Sequence, residues 1–192
     1  MMAEAIVNSL KEYFEIEQAL LKSAALDRVD AVIARLERAR MEGHNVFLFG
    51  NGGSGSTASH FACDLGKGTI MPDRPRFKVL CLNDNMPTLT AYANDSGYDS
   101  VFAEPLISFA ERGDLAIGFS GSGNSPNVLR ALETAEKRGL VTIGFSGFDG
   151  GKLKDRVELH VNVPSDVMGQ IEDVHLAMTH AICEMLKIRH GQ

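Results

Sequence analysis

The chain is predicted to fold as an α/β protein with a parallel sheet covered by helices on both faces, and three observations carry that expectation. Short apolar runs alternate with amphipathic stretches from residue 45 onward. Runs such as NVFLFG and LAIGFS are almost continuously apolar, as strands buried on both faces are. Glycine- and serine-rich turns separate two of these strands from the helices that follow, the arrangement of an open α/β sheet with a ligand edge.

Before the alternation begins, the first forty residues read as two helices. Ile6, Leu10, Tyr13 and Phe14 recur at helical spacing, followed by Leu20 and Leu21. Asp27 is placed to cap a second helix in which Val29, Val32, Ile33 and Leu36 share a face, and Gly43 is its stop. NVFLFG (45–50) is then the first strand, and TASHFACDLGKG (57–68) is helical until its glycines. FKVLCL (77–82) is a strand, followed by a helix from Pro87 through Tyr92 and another from Phe102 to Ala110. LAIGFS (115–120) is the third strand, and PNVLRALETAEKRG (126–139) is a helix with a glycine stop. LVTIGFSG (140–147) and VELHVNV (157–163) complete five strands, and Gln170 to Lys187 is a closing helix. GFSG occurs at 118–121 and again at 144–147, which reads as two similar strand ends in one sheet.

A length of 192 residues suits one domain, with a helical segment over 1–43 and an α/β core over 44–192. The formal charge of −6 argues against a nucleic-acid partner, because phosphate backbones are bound through basic surfaces. Cys63, Cys81 and Cys183 are odd in number and widely spaced, so neither a disulfide framework nor a zinc ribbon is expected; buried thiols are the default. The opening MMAEAIVNSLKEYFE carries acidic residues through its apolar positions, unlike a signal peptide, and no apolar run approaches membrane-span length. A reduced, cytoplasmic setting is the expectation.

FSGSGNSPNV (119–128) asks for more than a turn. Ser125 is a good N-cap and Pro126 suits the first helical position, so capping accounts for those two. It does not account for Ser120 and Ser122, whose spacing lets both hydroxyls turn toward one point while Gly121 and Gly123 free the backbone. Neutral donors at a helix N-terminus bind a phosphate without lysine or arginine, which suits an acidic protein. The other loop, FGNGGSGSTASH (49–60), places Gly50, Gly52 and Gly55 in the G-x-G-x-x-G spacing of dinucleotide binders. The ribose-binding acid that should follow about twenty residues on is missing: the next strand ends near Asn83 and Asp84. No nucleotide cofactor is expected.

His60 and Asp64 stand four apart on a helix directly after that loop, so their side chains share a face. GQIEDVHLAMTH on the closing helix adds Glu172, His175 and His180. His175, among Val174, Leu176 and Met178, reads as a packed histidine. Glu172 and His180 are eight residues apart, roughly 12 Å of helix at 1.5 Å per residue. Both meet one ion only if Glu172 lies in a distorted first turn or if neighbouring subunits share the site.

GNGGS followed by HFACD (60–64), ND (94–95), SGSGNS (120–125) and EDVH with a histidine five residues on resembles the phosphoheptose isomerase family of sugar-isomerase (SIS) domains. The resemblance runs from about Gly50 to His180. It implies a flavodoxin-like three-layer fold, a five-stranded parallel sheet and a homotetramer with active sites between subunits. It implies conversion of sedoheptulose 7-phosphate to a mannoheptose 7-phosphate, an aldose–ketose isomerisation. Asn51, Gly52 and Gly53 would line the sugar, Asn94 and Asp95 would contact it, and Ser120, Gly121, Ser122 and Ser125 would hold the phosphate. His60, Asp64, Glu172 and His180 match the family's zinc ligands, with Asp64 also the base and His180 its acid/base partner. The family usually has glutamate at position 64 and glutamine at 172; Asp64 shortens the reach by one methylene and Glu172 adds charge. The alternative is a non-catalytic SIS module that binds a sugar phosphate and acts as a regulator or a protein-interaction module. Retention of ionisable groups at 60, 64, 172 and 180 favours the enzyme.

Overall fold

The structure is a computed structural model and describes residues 9–188; Ile6, expected on the first helix, lies outside the described residues. Helices α1 (Leu10–Lys22) and α2 (Leu26–Glu42) precede β1 (Asn45–Gly50) and α3 (Gly52–Cys63), which runs into a π-helical turn over Asp64–Gly68. Then come β2 (Lys78–Cys81), α4 (Met86–Ser96), α5 (Ala103–Phe109), β3 (Leu115–Ser120), α6 (Pro126–Lys137), β4 (Val141–Gly147), β5 (Leu159–Val163) and α7 (Met168–Ile188). All five strands are parallel, in the order β2-β1-β3-β4-β5. This is the flavodoxin-like order, whose topological switch point lies between β1 and β3.

The continuous apolar runs are explained by alternation across a sheet with no wet face. On β1, Val46 and Leu48 join a core beneath α2, α3 and α7, while Phe47 and Phe49 join one beneath α5 and α6. These side chains are fully or almost fully buried, each contributing about 1.5–3 kcal/mol. The repeated GFSG segments lie on adjacent strands in register, Phe119 beside Phe145 and Ser120 beside Ser146.

Several boundaries differ from the sequence reading. Asp27 does not cap α2: the N-cap is Ala25, with no side-chain bond, and Asp27 sits in the first turn, where its carboxylate faces the positive end of the helix dipole. Gly43 does stop that helix, at φ 76°. Helix α3 begins at Gly52, five residues before the expected start, because the glycine loop itself is helical. Cys81 and Cys183 are buried as expected, but Cys63 is exposed at the last residue of α3, on its outer face. Tyr13 Oη donates to Asp173 at 2.9 Å and Gln170 Nε2 to the Tyr13 carbonyl at 3.2 Å, docking α1 on the start of α7. Leu10, Phe14 and Leu21 of α1 remain exposed.

Candidate active site

The carboxyl ends of β1 and β3 flank the switch point, and a cavity of about 230 Å³ opens there, lined in part by Asn51, Gly53, Ser120, Ser122, Ser125 and Glu172. Ser120 and Ser125 place their hydroxyls 2.9 Å apart, and Ser122 Oγ accepts from the Asn124 backbone N–H at 3.2 Å. Ser125 occupies the N-cap of α6, yet makes no side-chain capping bond; its hydroxyl faces Ser120 instead. Ser125 and Pro126 thus take the N-cap and first helical positions expected of them, but the positive end of the α6 dipole borders the cavity without a side-chain cap. Gly123, at φ 64°, turns the loop, and a Cβ there would collide with the Gly150 carbonyl. The Leu153 backbone N–H donates to Gly123 O at 3.0 Å and that of Lys152 to Asn124 Oδ1 at 3.1 Å, buttressing the loop from behind.

The opposite wall begins at Asn51, the N-cap of α3. Its carboxamide pairs with that of Asn127 through two bonds of 2.8 Å and accepts from Tyr98 Oη at 3.0 Å. Asn83, near the expected position of a ribose acid, is committed to the backbone of Gly50, accepting from its N–H at 3.2 Å and donating to its carbonyl at 2.8 Å. Gly55 packs against Asn83 and Gly50 against Ser54, so close packing requires glycine at both positions. Asn94 and Asp95, by contrast, are exposed near the end of α4, bonded to each other at 2.7 Å, and do not line the cavity. Tyr98, Asn127 and Asn83 escaped sequence reasoning; isolated polar residues carry no periodicity or spacing that marks them.

His60, Asp64 and His180 converge. His60 Nε2 stands 3.2 Å from His180 Nε2 and 3.4 Å from Asp64 Oδ2, and His180 Nε2 stands 3.7 Å from that same oxygen. Ligand atoms around a tetrahedral zinc, with bonds of 2.0–2.1 Å, stand about 3.4 Å apart, so this trio fits three corners of such a site and leaves one open. Asp64 Oδ1 makes no hydrogen bond among the described residues. The carboxylate rides on the first residue of the π turn, which ends where Thr69 Oγ1 donates to Leu65 O at 2.7 Å and buried Arg40 donates to Thr69 O at 3.2 Å.

Glu172 stands apart from that trio. Helix α7 is unbroken from Met168, so Glu172 already lies beyond the first turn, and its carboxylate rests over Gly53, where a Cβ would collide with it. Helices α3 and α7 thus run side by side in parallel, with Gly53 against Glu172 and His60 against His180. Along each helix the two contacts are about two turns apart, roughly 10–12 Å. None of His60, Asp64 and His180 lines the cavity. His175 turns inward, edge-on to the stacked rings of Phe119 and Phe145, and bonds Ser146 O at 3.0 Å, which makes it the packed histidine that was expected. A roomier cavity of about 830 Å³ lies beside edge strand β2, bordered by Lys67, Leu80 and Phe109. Its lining is mostly apolar, with Lys67, Asp84 and Cys63 among the polar groups, and like the smaller cavity it holds none of the trio.

Residues 3–147 match the SIS domain family model, and the doubly wound sheet with a hydroxyl-lined cavity at its switch point defines a SIS-domain protein. Phosphoheptose isomerase of Geobacter metallireducens is 36% identical over 97% of both chains, and that of Helicobacter pylori is 38% identical over 95% of this chain and 90% of the relative. The solved phosphoheptose isomerase of Francisella tularensis superposes with a TM-score of 0.87 at 25% identity, covering 93% of this chain and 96% of the other. That of Neisseria gonorrhoeae gives 0.86 at 26%, covering 93% and 97%. The chain belongs to the phosphoheptose isomerase family and is a sugar-phosphate isomerase. That membership decides against the non-catalytic reading.

Proposed function

We propose that the protein converts sedoheptulose 7-phosphate into D-glycero-D-manno-heptose 7-phosphate, aided by a divalent cation, with zinc the leading candidate. The observation that carries this reading is the approach of His60, Asp64 and His180 to within 3.2–3.7 Å of one another. Such a trio combines a carboxylate base, an imidazole and a cation seat, the parts an enediolate isomerisation needs. Ser120, Gly121, Ser122 and Ser125 hold the phosphate, while Asn51, Gly52, Gly53 and Glu172 border the sugar. Asn94 and Asp95 lie outside the cavity of a single chain, and their contact with the sugar is assigned from the family resemblance alone.

Asp64 removes the proton from C1 of the ketose. The C–H electron pair becomes the C1–C2 double bond, and the carbonyl pair moves onto O2. His180 takes the O1 proton and returns it at O2, while Asp64 gives its proton to C2 and the O1 electron pair closes the aldehyde at C1. A bound cation would supply positive charge beside the developing oxyanion. Glu172 lies two helical turns from this trio on the same chain, so it would supply a further oxygen ligand only from a neighbouring subunit.

On a single chain the trio and the cavity are two helical turns apart, which favours a site shared between subunits of a homotetramer. Exposed Leu10, Phe14 and Leu21 on α1 offer apolar surface for such an assembly. No described helix is long and apolar enough to cross a membrane, and three free thiols suit the reducing cytoplasm we assign. The test is turnover of sedoheptulose 7-phosphate by purified protein, with and without chelator, followed by zinc addition. Turnover lost to the chelator and restored by zinc is expected; no turnover in zinc-replete buffer, with the sugar phosphate still binding, overturns the substrate assignment.

A further inference from the structure

The side-chain amide of Asn51 is oriented by a chain of donors that starts at a backbone atom. The Val128 N–H can only donate, and it bonds Asn127 Oδ1 at 3.0 Å, which identifies that atom as the oxygen. Asn127 Nδ2 is thereby turned to Asn51, where it donates to Oδ1 at 2.8 Å, and Asn51 Nδ2 donates back to Asn127 Oδ1 at 2.8 Å. Tyr98 Oη donates to Asn51 Oδ1 at 3.0 Å. Flipping Asn51 would set oxygen against oxygen and nitrogen against nitrogen across the pair. Asn127 is only 1% exposed, so it has no solvent in which to repair a mismatch.

An amide carbonyl has two lone pairs, and both on Asn51 are taken by Asn127 and Tyr98. One of its two N–H groups is taken by Asn127. What remains on Asn51, among the described residues, is a single N–H, on a side chain that borders the cavity. Asn127 also lies two residues beyond Ser125, so the first turn of α6 that borders the serine loop also sets the opposite wall.

We propose that Asn127 and Tyr98 are positioning residues, which hold the Asn51 carboxamide so that it presents one N–H and no acceptor to the cavity. Asn51 then selects an oxygen of the sugar as its partner and refuses a second donor role to a sugar hydroxyl. This rests on the reading above that Asn51 faces the sugar.

Asn127→Asp keeps the shape and the bond from Val128 but replaces the donor facing Asn51 Oδ1 by an oxygen. It should lower kcat/KM about tenfold or more in the native background, and add less than about twofold to the loss already caused by Asn51→Ala. An equal cost in both backgrounds, or no cost in the native one, overturns the proposal, because a purely structural role does not depend on Asn51. A second measurement needs no substrate: the Asn51 side-chain ¹⁵N–¹H resonances should shift in Tyr98→Phe, a change at an exposed ring that spares the buried amide pair. Unmoved resonances also overturn it, even if Asn127→Asp fails to fold. Native protein that leaves sedoheptulose 7-phosphate untouched counts against the substrate assignment alone, since the resonance measurement still decides the positioning role.

Discussion

His60 and His180 bring their Nε2 atoms to 3.2 Å across 120 residues of chain, with Asp64 Oδ2 within 3.7 Å of both. Two imidazoles and a carboxylate stand there, on a partly exposed surface, at the spacing that ligand atoms of one tetrahedral cation would have. The chain reaches this arrangement because α3 and α7 pack in parallel, holding His60 against His180 as Gly53 is held against Glu172.

Asp64→Asn should separate chemistry from binding. The amide keeps an oxygen near the two histidines but is neither a base nor an anionic ligand. Turnover is expected to fall by about a thousandfold, with weaker zinc binding, since general-base catalysis commonly contributes 10²–10⁴-fold. Affinity for the sugar phosphate, measured by calorimetry, should change little because the serine loop is untouched. A fully active variant would remove Asp64 from the role of base.

The two-turn gap between cavity and trio yields a complementation test. Ser122→Glu places a negative charge in the phosphate loop, and Asp64→Asn disables the base in another chain. Alone, each should be inactive. If sites are shared between subunits, coexpressed chains form about one intact site in four, and activity returns to that fraction of native. Mixed oligomers without any activity would mean that cavity and trio serve the same chain.

The sheet and its helices were legible in the sequence because burial on both faces leaves an unbroken apolar signature, as in NVFLFG and LAIGFS. The serine loop was legible as a cluster that capping does not explain, although Ser125 proved to face Ser120 and not the helix backbone. His60 and Asp64 were legible through helical spacing. What the sequence hid was the register between helices: nothing local reports that Glu172 meets Gly53, or that Asn127 pairs with Asn51. Those contacts depend on how distant segments dock, and single polar residues leave no periodic trace. Asp27 was misread for a related reason, since a good capping residue type does not determine which residue starts the helix.

Two glycines of the site should fail in different ways. At Gly123 the backbone is left-handed, and a Cβ would strike the Gly150 carbonyl, so Gly123→Ala has no soft direction in which to yield. A loss of roughly 1–3 kcal/mol is expected in urea unfolding. At Gly53 the obstacle is the carboxylate end of Glu172, a flexible side chain that can swing away. Gly53→Ala should therefore leave the unfolding free energy within about 1 kcal/mol of native while raising KM. Equal stability losses in the two variants would contradict this distinction.

His175 should make stability depend on pH in a defined window. Burial beside the stacked Phe119 and Phe145 pushes its imidazole down to about 4, against the usual 6.5, while the bond to Ser146 O works in the opposite direction. The folded protein holds the ring neutral, so the unfolded chain binds the proton first. The contribution is complete above the unfolded value near 6.5 and is lost as pH falls through 6.5 toward 4. Linkage puts the loss between pH 7 and pH 5 at about 2 kcal/mol. Urea unfolding of native protein and His175→Gln at both pH values checks it, because the substitution removes the titrating group. The native protein should lose about 2 kcal/mol more than the variant over that interval, and parallel losses would show that the proton goes elsewhere.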